Sequence, residues 1–306
     1  MAMLKLKPAC KNYVWGGRRL IDEYGFECNE KICAEAWTLS AHPDGASTIA
    51  GGSTLAEYIK RNGKKILGTN CRRFEDFPVL IKFIDARENL SVQVHPPDDY
   101  ALARENQLGK SEAWYILDAD ENSVVYRGFK QKISKAEFVD RIKKHSLMEV
   151  LNAVTVKRGD VIFIPAGTIH AVGKGVLLVE IQQSSNVSYR IYDYSRNRPL
   201  HIDKALDVTN LNPPEVRDSY PHVAACDYFV VDKLNLDGKT LSEARGFVSE
   251  KSFLSVLILN GAGKIFSGGE EISYGKGDSI LLTANSGAWK ICGTCDALLT
   301  TIPDHE

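Results

Sequence analysis

The sequence predicts a mainly β protein with two β domains and a small helical insertion in the first. Short runs of branched and aromatic residues recur between glycine and proline turns, as in Phe77–Asp85, Asp160–Ile164 and Val176–Ile181. Helix signals are few, and beyond residue 212 they are almost absent. Together these observations favour sheets packed on one another over regularly alternating strands and helices.

An internal repeat predicts that the second domain is built like the first. The stretch Gly277–Ala288 has the pattern of Gly159–His170, because both begin with Gly-Asp, continue as a mostly apolar strand and turn through small residues. Where the first stretch ends in His170, the second ends in Ala288. The second domain is therefore expected to lack a metal ligand at this position.

A proline-containing segment marks the predicted domain boundary. Asn210–Glu215 interrupts the strand pattern with Asn-Pro-Pro, which is typical of a turn or linker. We therefore predict one domain at residues 1–212 and a second at residues 213–306.

Three capping boxes predict short helices. Thr54–Glu57 carries the Thr-x-x-Glu pattern that satisfies free N–H groups at the start of a helix. Ser134–Glu137 and Ser146–Glu149 repeat the pattern with serine, and they place a helical insertion at about residues 131–152.

Composition excludes several classes of partner. The 306 residues are 44% apolar and 25% charged, with a net charge of −1, so we expect neither nucleic acid nor an anionic membrane as partner. No apolar run reaches the length of a membrane span, and the first residues lack the hydrophobic stretch of a signal peptide. The seven cysteines are odd in number and scattered, which predicts reduced thiols in the cytoplasm.

Three polar side chains alternate along one predicted strand. Ser91, Gln93 and His95 are two residues apart, so on an extended strand they point to the same face. A strand that directs a hydroxyl, an amide and an imidazole to one face does not serve an apolar core. Pro96 then ends the strand, because proline donates no ladder hydrogen bond.

Two further residues complete a predicted metal site. Glu112 follows the strand of His95, and His170 begins a strand after a Pro-Ala-Gly turn. With Gln93 they form the nitrogen and oxygen ligand set that imidazole-binding divalent metals accept. No cysteine is close in sequence to these positions, which argues against a structural thiolate site there. We therefore predict a metal bound by Gln93, His95, Glu112 and His170.

Three charged residues lie where the pattern is apolar or aromatic. Lys82 either reaches outward from a buried strand or meets an anion. Glu180, among branched apolar residues, must be paired, metal-bound or protonated. Arg190 lies between tyrosines, where an ion pair with Glu180 or Asp193 is the plain structural explanation.

Four motifs, in this order, resemble those of a known family. They are Leu90–Pro96, Gly109–Glu112, Pro165–His170 and Asn186–Arg190. They resemble the zinc-binding and catalytic motifs of type I mannose-6-phosphate isomerases, which are built on cupin (jelly-roll) domains. The similarity begins near Tyr13–Gly17 and ends near Arg196, so it covers the larger, first part of the chain.

The resemblance implies two cupin-like jelly-roll domains and an isomerase that interconverts mannose 6-phosphate and fructose 6-phosphate through a cis-enediol. It implies one zinc ion per chain, in the first domain, and a small sugar phosphate as the binding partner. Lys82 and Ser91 would hold the phosphate, Trp15 would line the pocket, and Arg190 would stabilise the enediolate.

The proton-transfer residue stays open between Glu180 and Lys110. Glu180 is a carboxylate in apolar surroundings, which suits general-base catalysis. Lys110 would have to lose its proton, which a nearby zinc ion would favour. An iron-dependent cupin oxygenase would leave Lys82, Ser91 and Arg190 without a purpose. A non-catalytic sugar-binding protein would need no proton-transfer group.

Overall fold

The computed structural model describes residues 3–215 and 221–305 and is mainly β, as the sequence predicts. The strands of the first range are β1 (Met3–Lys7), β2 (Ala9–Lys11), β3 (Glu35–Leu39), β4 (Thr48–Ile49), β5 (Val79–Ala86), β6 (Val92–Val94), β7 (Glu112–Ala119), β8 (Val124–Phe129), β9 (Leu151–Thr155), β10 (Val161–Ile164), β11 (His170–Val172), β12 (Val176–Gln183) and β13 (Tyr189–Tyr192). Those of the second range are β14 (Ala224–Ala225), β15 (Val230–Leu236), β16 (Glu243–Val248), β17 (Leu254–Ser267), β18 (Glu270–Tyr274), β19 (Ser279–Leu282) and β20 (Gly287–Thr301).

The helices are short and connect strands. They are α1 (Arg19–Asp22), α2 (Leu55–Asn62), α3 (Asp98–Glu105), α4 (Lys135–Lys143) and α5 (Ile202–Val208), with 3₁₀ turns at Lys64–Leu67, Thr69–Arg73 and Leu147–Glu149. Over the described ranges, no helix has the length and apolar character needed to cross a membrane.

Two antiparallel sheets form the first part of the molecule. One has six strands in the order β10-β7-β12-β5-β3-β2, and the other has five in the order β13-β6-β11-β8-β9. Ile84, Trp114 and Leu178 from the six-stranded sheet cluster with Val125 and Val172 from the five-stranded sheet. We call this cluster the inner core. It shows that the sheets face each other as a sandwich.

A third, nine-stranded sheet contains β14 to β20 together with β1 and β4. β1 pairs with β19, so that Leu4 lies beside Leu281. Phe83 and Val179 of the six-stranded sheet share a central core with Leu257 and Leu281. The first strand of the chain therefore completes the sheet of the last third, across the boundary predicted at residues 212–213.

The internal repeat holds in three dimensions. Gly159 and Gly277 both have positive φ, of 92° and 87°, and each comes two residues before a strand, β10 or β19. The turns that follow also match, because Gly167 and Asn285 have φ of 83° and 63°. Glycine adopts this left-handed backbone conformation without strain, and asparagine adopts it more readily than most other residues. The two copies differ in the side chain that the next strand presents.

The predicted insertion contains α4 and the 3₁₀ turn at Leu147–Glu149. Phe138 and Leu147 pack with Phe129 and Val94 on the side of the five-stranded sheet that faces away from the inner core. We call this cluster the helix-side core. The helices therefore cover one outer face of the sandwich.

The capping boxes differ in what they form, and this yields a first prediction. At Thr54, the side chain accepts a hydrogen bond from the Glu57 N–H, and the Glu57 carboxylate accepts one from the Thr54 N–H. At Ser146 the side chain makes no capping hydrogen bond, and only a 3₁₀ turn follows. Thr54→Ala should lower the free energy of unfolding by about 1 kcal/mol.

Ser146→Ala is the matched control, and we expect it to change stability by less than about 0.5 kcal/mol. Urea unfolding of both variants checks this difference. Equal losses in the two variants would contradict the finding that Thr54 caps its helix and Ser146 does not.

Candidate active site

The register of the six-stranded sheet places charged groups at its centre. Lys82 on β5 lies opposite Glu180 on β12, and Glu180 lies opposite Trp114 on β7. The neighbours Val179 and Ile181 belong to the central core. Because successive side chains of a strand point to opposite faces, Glu180 points between the two sheets. It is 4% exposed.

The register of the five-stranded sheet places a second polar row opposite the first. Gln93 on β6 lies between Arg190 on β13 and His170 on β11. Val92 and Val94 pack into the helix-side core. The alternation predicted for this strand is therefore confirmed, and its polar side chains face the inside of the sandwich.

Three residues form a buried group with metal-ligating atoms. The ligand atoms of His95, Glu112 and His170 all lie within 4.8 Å of one another. His95 Nε2 is 3.4 Å from Glu112 Oε2, and His170 Nε2 is 3.5 Å from Glu112 Oε1. Gln93 Nε2 lies 3.4 Å from His170 Nε2, so the amide joins the same group.

Backbone carbonyls orient both imidazoles. His95 Nδ1 is 2.9 Å from the Val187 carbonyl oxygen, and His170 Nδ1 is 2.8 Å from the Thr168 carbonyl oxygen. A carbonyl can only accept, so each Nδ1 carries the proton and each Nε2 presents a lone pair. Metal ligation by histidine uses this arrangement. Ser188 Oγ adds a contact to His95 Nδ1 at 3.2 Å.

Burial keeps both imidazoles neutral. It lowers the pKa of His95 to about 4, with a further contribution from the Lys110 charge. Burial also lowers the pKa of His170. Burial alone would oppose ionisation of Glu112, but the Lys110 ammonium outweighs it and holds the pKa of Glu112 well below its usual range. The group therefore offers one carboxylate and two neutral nitrogens.

The donor group fits a single divalent cation. Glu112 Oε1 is buried and accepts no hydrogen bond from any residue that the structure describes, which is a costly state for a carboxylate oxygen without a cation. Nitrogen and oxygen ligands about 2.1 Å from one tetrahedral zinc lie about 3.4 Å apart. The distances from Glu112 to the two imidazoles match this spacing.

Lys110 connects the donor group to Glu180. Its Nζ is 2.5 Å from Glu112 Oε2, 3.1 Å from His95 Nε2 and 3.1 Å from Glu180 Oε1. An ammonium group therefore lies among the metal-ligating atoms, where it stands in for part of a cation's charge. Lys110 and Glu180, the two candidates for proton transfer, are in direct contact.

Glu180 is surrounded by donors. Besides Lys110, it accepts hydrogen bonds from Lys82 Nζ at 3.0 Å and Trp114 Nε1 at 3.0 Å. Burial and the nearby Glu112 charge raise the pKa of Glu180, but the two lysines outweigh them and the pKa is lowered overall. Glu180 is therefore a carboxylate held ionised by its partners.

Lys82 meets two carboxylates at the far end of this network. Its Nζ lies 3.4 Å from Glu35 Oε2 as well as 3.0 Å from Glu180. Burial opposes its charge, but the two carboxylates outweigh it and raise the pKa of Lys82. Of the two possibilities that the sequence leaves for Lys82, it does not reach outward to solvent but meets anions, which are Glu180 and Glu35.

The remaining predicted residues lie around this network. Arg190 donates from Nη1 to the Pro199 carbonyl oxygen at 2.9 Å, and its buried Nε has no hydrogen-bond partner within residues 3–215 and 221–305. Ser91 is buried one residue before β6. Trp15 is buried in the inner core, with its ring stacked 5.5 Å from that of Tyr13. Across the described residues, the hydrogen bonds of the network involve neither Ser91 nor Trp15.

Sequence reasoning missed Glu35 and Trp114. Glu35 is 7% exposed and also accepts a hydrogen bond from Trp37 Nε1 at 2.7 Å. A single carboxylate within a strand that is buried throughout is the same signal that singled out Glu180.

Comparisons with known proteins agree with this architecture. Residues 3–131 match the family model of the type I phosphomannose isomerase catalytic domain, and residues 219–302 match that of the mannose-6-phosphate isomerase cupin domain. A probable mannose-6-phosphate isomerase of Bacillus subtilis, GmuF, is 35% identical over 97% of this chain and 98% of its own length. The mannose-6-phosphate isomerase of Streptococcus mutans is 32% identical over 96% of both chains.

Solved structures extend the similarity. The crystal structure of the mannose 6-phosphate isomerase from Bacillus subtilis matches with a TM-score of 0.88 and 32% identity, covering 98% of this chain and 99% of that one. A zinc-bound mannose 6-phosphate isomerase shares the fold with a TM-score of 0.79 at 19% identity, over 99% of this chain and 100% of that one. The predicted cupin fold is therefore confirmed. This chain belongs to the family of type I mannose-6-phosphate isomerases.

Proposed function

We propose that this chain interconverts mannose 6-phosphate and fructose 6-phosphate through a cis-enediol, with one zinc ion at its catalytic site. The observation that carries the proposal is the buried group of His95, Glu112 and His170, in which the two Nε2 atoms face the two oxygens of the Glu112 carboxylate. Gln93 supplies the fourth ligand, because its amide lies beside His170. A fold match alone would support many activities, so the argument depends on these side chains.

The charge of the network supports a divalent cation next to an anionic substrate. The ammonium groups of Lys82 and Lys110 and the carboxylates of Glu35, Glu112 and Glu180 carry a formal net charge of 2 − 3 = −1. A divalent ion bound among these residues would make the site positive, which suits a sugar phosphate. When bound, zinc would polarise and orient substrate oxygens.

Arg190 fits the stabilisation of an enediolate. Its guanidinium keeps its charge throughout a reaction, and its unpartnered Nε is a free donor. Donors held in place before reaction stabilise developing negative charge at little reorganisation cost. Arg190 also lies opposite Gln93, so β13 presents it beside the ligand set.

The phosphate assignment remains with Lys82 and Ser91. A phosphate that binds Lys82 would have to replace Glu35, which is the more distant of its two carboxylate partners. Lys82 has a second role that needs no rearrangement, because it keeps Glu180 ionised. Ser91 would donate to phosphate through its hydroxyl, and Trp15 would contribute a wall of the pocket.

The surroundings of Glu180 and Lys110 favour different roles for them. Glu180 accepts from three donors, which weakens it as a base. Lys110 contacts the ligand set directly, through His95 and Glu112. We therefore assign proton transfer to Lys110, with Glu180 as the group that positions it.

The first test is a coupled assay that detects fructose 6-phosphate formed from mannose 6-phosphate. Treatment with a chelator should abolish activity, and added zinc should restore it, because the ligand group requires a cation. Circular dichroism before and after chelation provides the control for unfolding. Folded, zinc-loaded protein without activity would contradict the proposed reaction. Activity that survives complete metal removal would contradict the metal requirement.

The second test separates the two proton-transfer candidates. Lys110→Met and Glu180→Gln should be compared for exchange of solvent deuterium into substrate. Loss of a general base lowers the rate by about 10²–10⁴-fold, and we expect the larger loss for Lys110→Met. The exposed residues Lys174 and Glu121 offer matched controls as Lys174→Met and Glu121→Gln. A larger loss for Glu180→Gln would reverse the assignment, and full exchange in both variants would exclude both residues.

The neutral imidazoles give a prediction for pH. The pKa of His95 is about 4 in the folded chain, against about 6.5 in an unfolded one, so between these values the unfolded state binds more protons. Stability of the metal-free protein should therefore be complete above pH 6.5. It should fall as the pH drops towards 4, by on the order of 3 kcal/mol from His95.

Denaturant unfolding of chelated protein between pH 7 and pH 4.5 measures this slope. His95→Gln should flatten the slope, whereas His305→Gln, at an exposed position, should leave it unchanged. The same slope in wild type and His95→Gln would contradict a neutral buried His95.

A further inference from the structure

Three cysteines that are distant in sequence meet at the edge of the six-stranded sheet. Cys10 lies on β2, and Cys28 and Cys33 lie on the loop between α1 and β3. Their Sγ atoms are all within 4.8 Å of one another, and all three are free thiols. We call them the cysteine triad. The proposed isomerase reaction makes no use of it.

The backbone around the cysteine triad is held on both sides. β2 pairs with β3 so that Cys10 lies beside Ala36. Cys33 is fully buried, and its N–H donates to the Gly17 carbonyl oxygen at 2.9 Å. Cys28 approaches from the other arm of the loop and is partly exposed. Two of the three sulfurs are therefore fixed before any ligand binds.

A cavity of about 370 Å³ opens next to the cysteine triad. Cys10 and Cys28 line it, together with Glu27, Asn29 and Glu30 of the loop. The lining is mostly polar, so water or an oxygen ligand can reach the sulfurs from this side. The cavity therefore leaves one side of the triad open.

We propose that Cys10, Cys28 and Cys33 bind a second zinc ion, with a fourth ligand from the cavity. Three sulfurs about 2.3 Å from one tetrahedral zinc lie about 3.8 Å apart, which requires only a small contraction of the triad. Cys28 and Cys33 have the C-x₄-C spacing common in zinc sites, and Cys10 supplies the third thiolate from a neighbouring strand. Thiolates select zinc over the hard cations magnesium and calcium.

This site would support the charged network from outside. Cys33 Sγ lies 3.5 Å from the Glu35 carbonyl oxygen, and the Glu35 side chain contacts Lys82. A metal on the cysteine triad therefore anchors the start of β3, which carries Glu35. It also raises the expected zinc content to two per chain, in place of the one per chain expected from the sequence.

Cobalt substitution distinguishes the two sites because only sulfur ligands give a thiolate-to-cobalt charge-transfer band in the near ultraviolet. Metal-free, fully reduced protein titrated with Co²⁺ should develop this band and reach its maximum by two equivalents, because the histidine site also takes up the metal, and Zn²⁺ should remove it. Cys28→Ser and Cys10→Ser should lose the band and one equivalent of bound zinc. Cys292→Ser changes a partly buried cysteine outside the triad and should retain both.

His170→Gln provides the converse control, since it should lose zinc from the histidine site and keep the thiolate band. Absence of the band in folded, reduced wild-type protein would overturn the proposal. A band that persists in both Cys28→Ser and Cys10→Ser would do the same. Thiol titration of the unfolded, metal-free chain should find all seven cysteines. If protein prepared without reductant shows two fewer titratable thiols, a disulfide within the cysteine triad would replace the proposed metal site.

Discussion

The rest of the site depends on the pairing of Glu180 with two lysines inside an apolar sandwich. A buried charge without a partner is strongly destabilising, so each of the five charged groups in this network requires its neighbours. The register of β5, β12 and β7 sets these pairs. A slip of one residue would turn Glu180 and Lys82 into the central core and destroy every pair at once. The charge pairs of the site and the register of these strands therefore depend on each other.

Hydrogen bonds hold the ligand group in place before any cation binds. The imidazoles are held by backbone carbonyls of Val187 and Thr168, and Glu112 is held by Lys110. Positions set by strands and by backbone hydrogen bonds vary little, which is what a metal site needs for affinity. Lys110 joins the ligand group to Glu180, so substitutions there should affect both halves of the network.

The second copy of the cupin pattern keeps the backbone of the first copy but not its metal-ligating histidine. Its glycine, its strand and its left-handed turn coincide with those of the first copy, while Ala288 occupies the position of His170. Its sheet instead packs on the six-stranded sheet through the central core. That packing buries one face of β5 and β12, and the five-stranded sheet covers the other face, which carries Lys82 and Glu180.

The sequence by itself determined the mainly β class, the polar alternation at Gln93 and the four candidate ligands. These features depend on local spacing, since a period of two and a turn residue can be read within a few positions. The tertiary structure alone decided that β1 joins β19, that Glu35 meets Lys82, and that three cysteines described as scattered come together. Each of these contacts joins segments far apart in the chain, where topology and not local pattern sets the distance. For the same reason the sequence left Glu180 and Lys110 as rivals, whereas in the folded chain they are partners 3.1 Å apart.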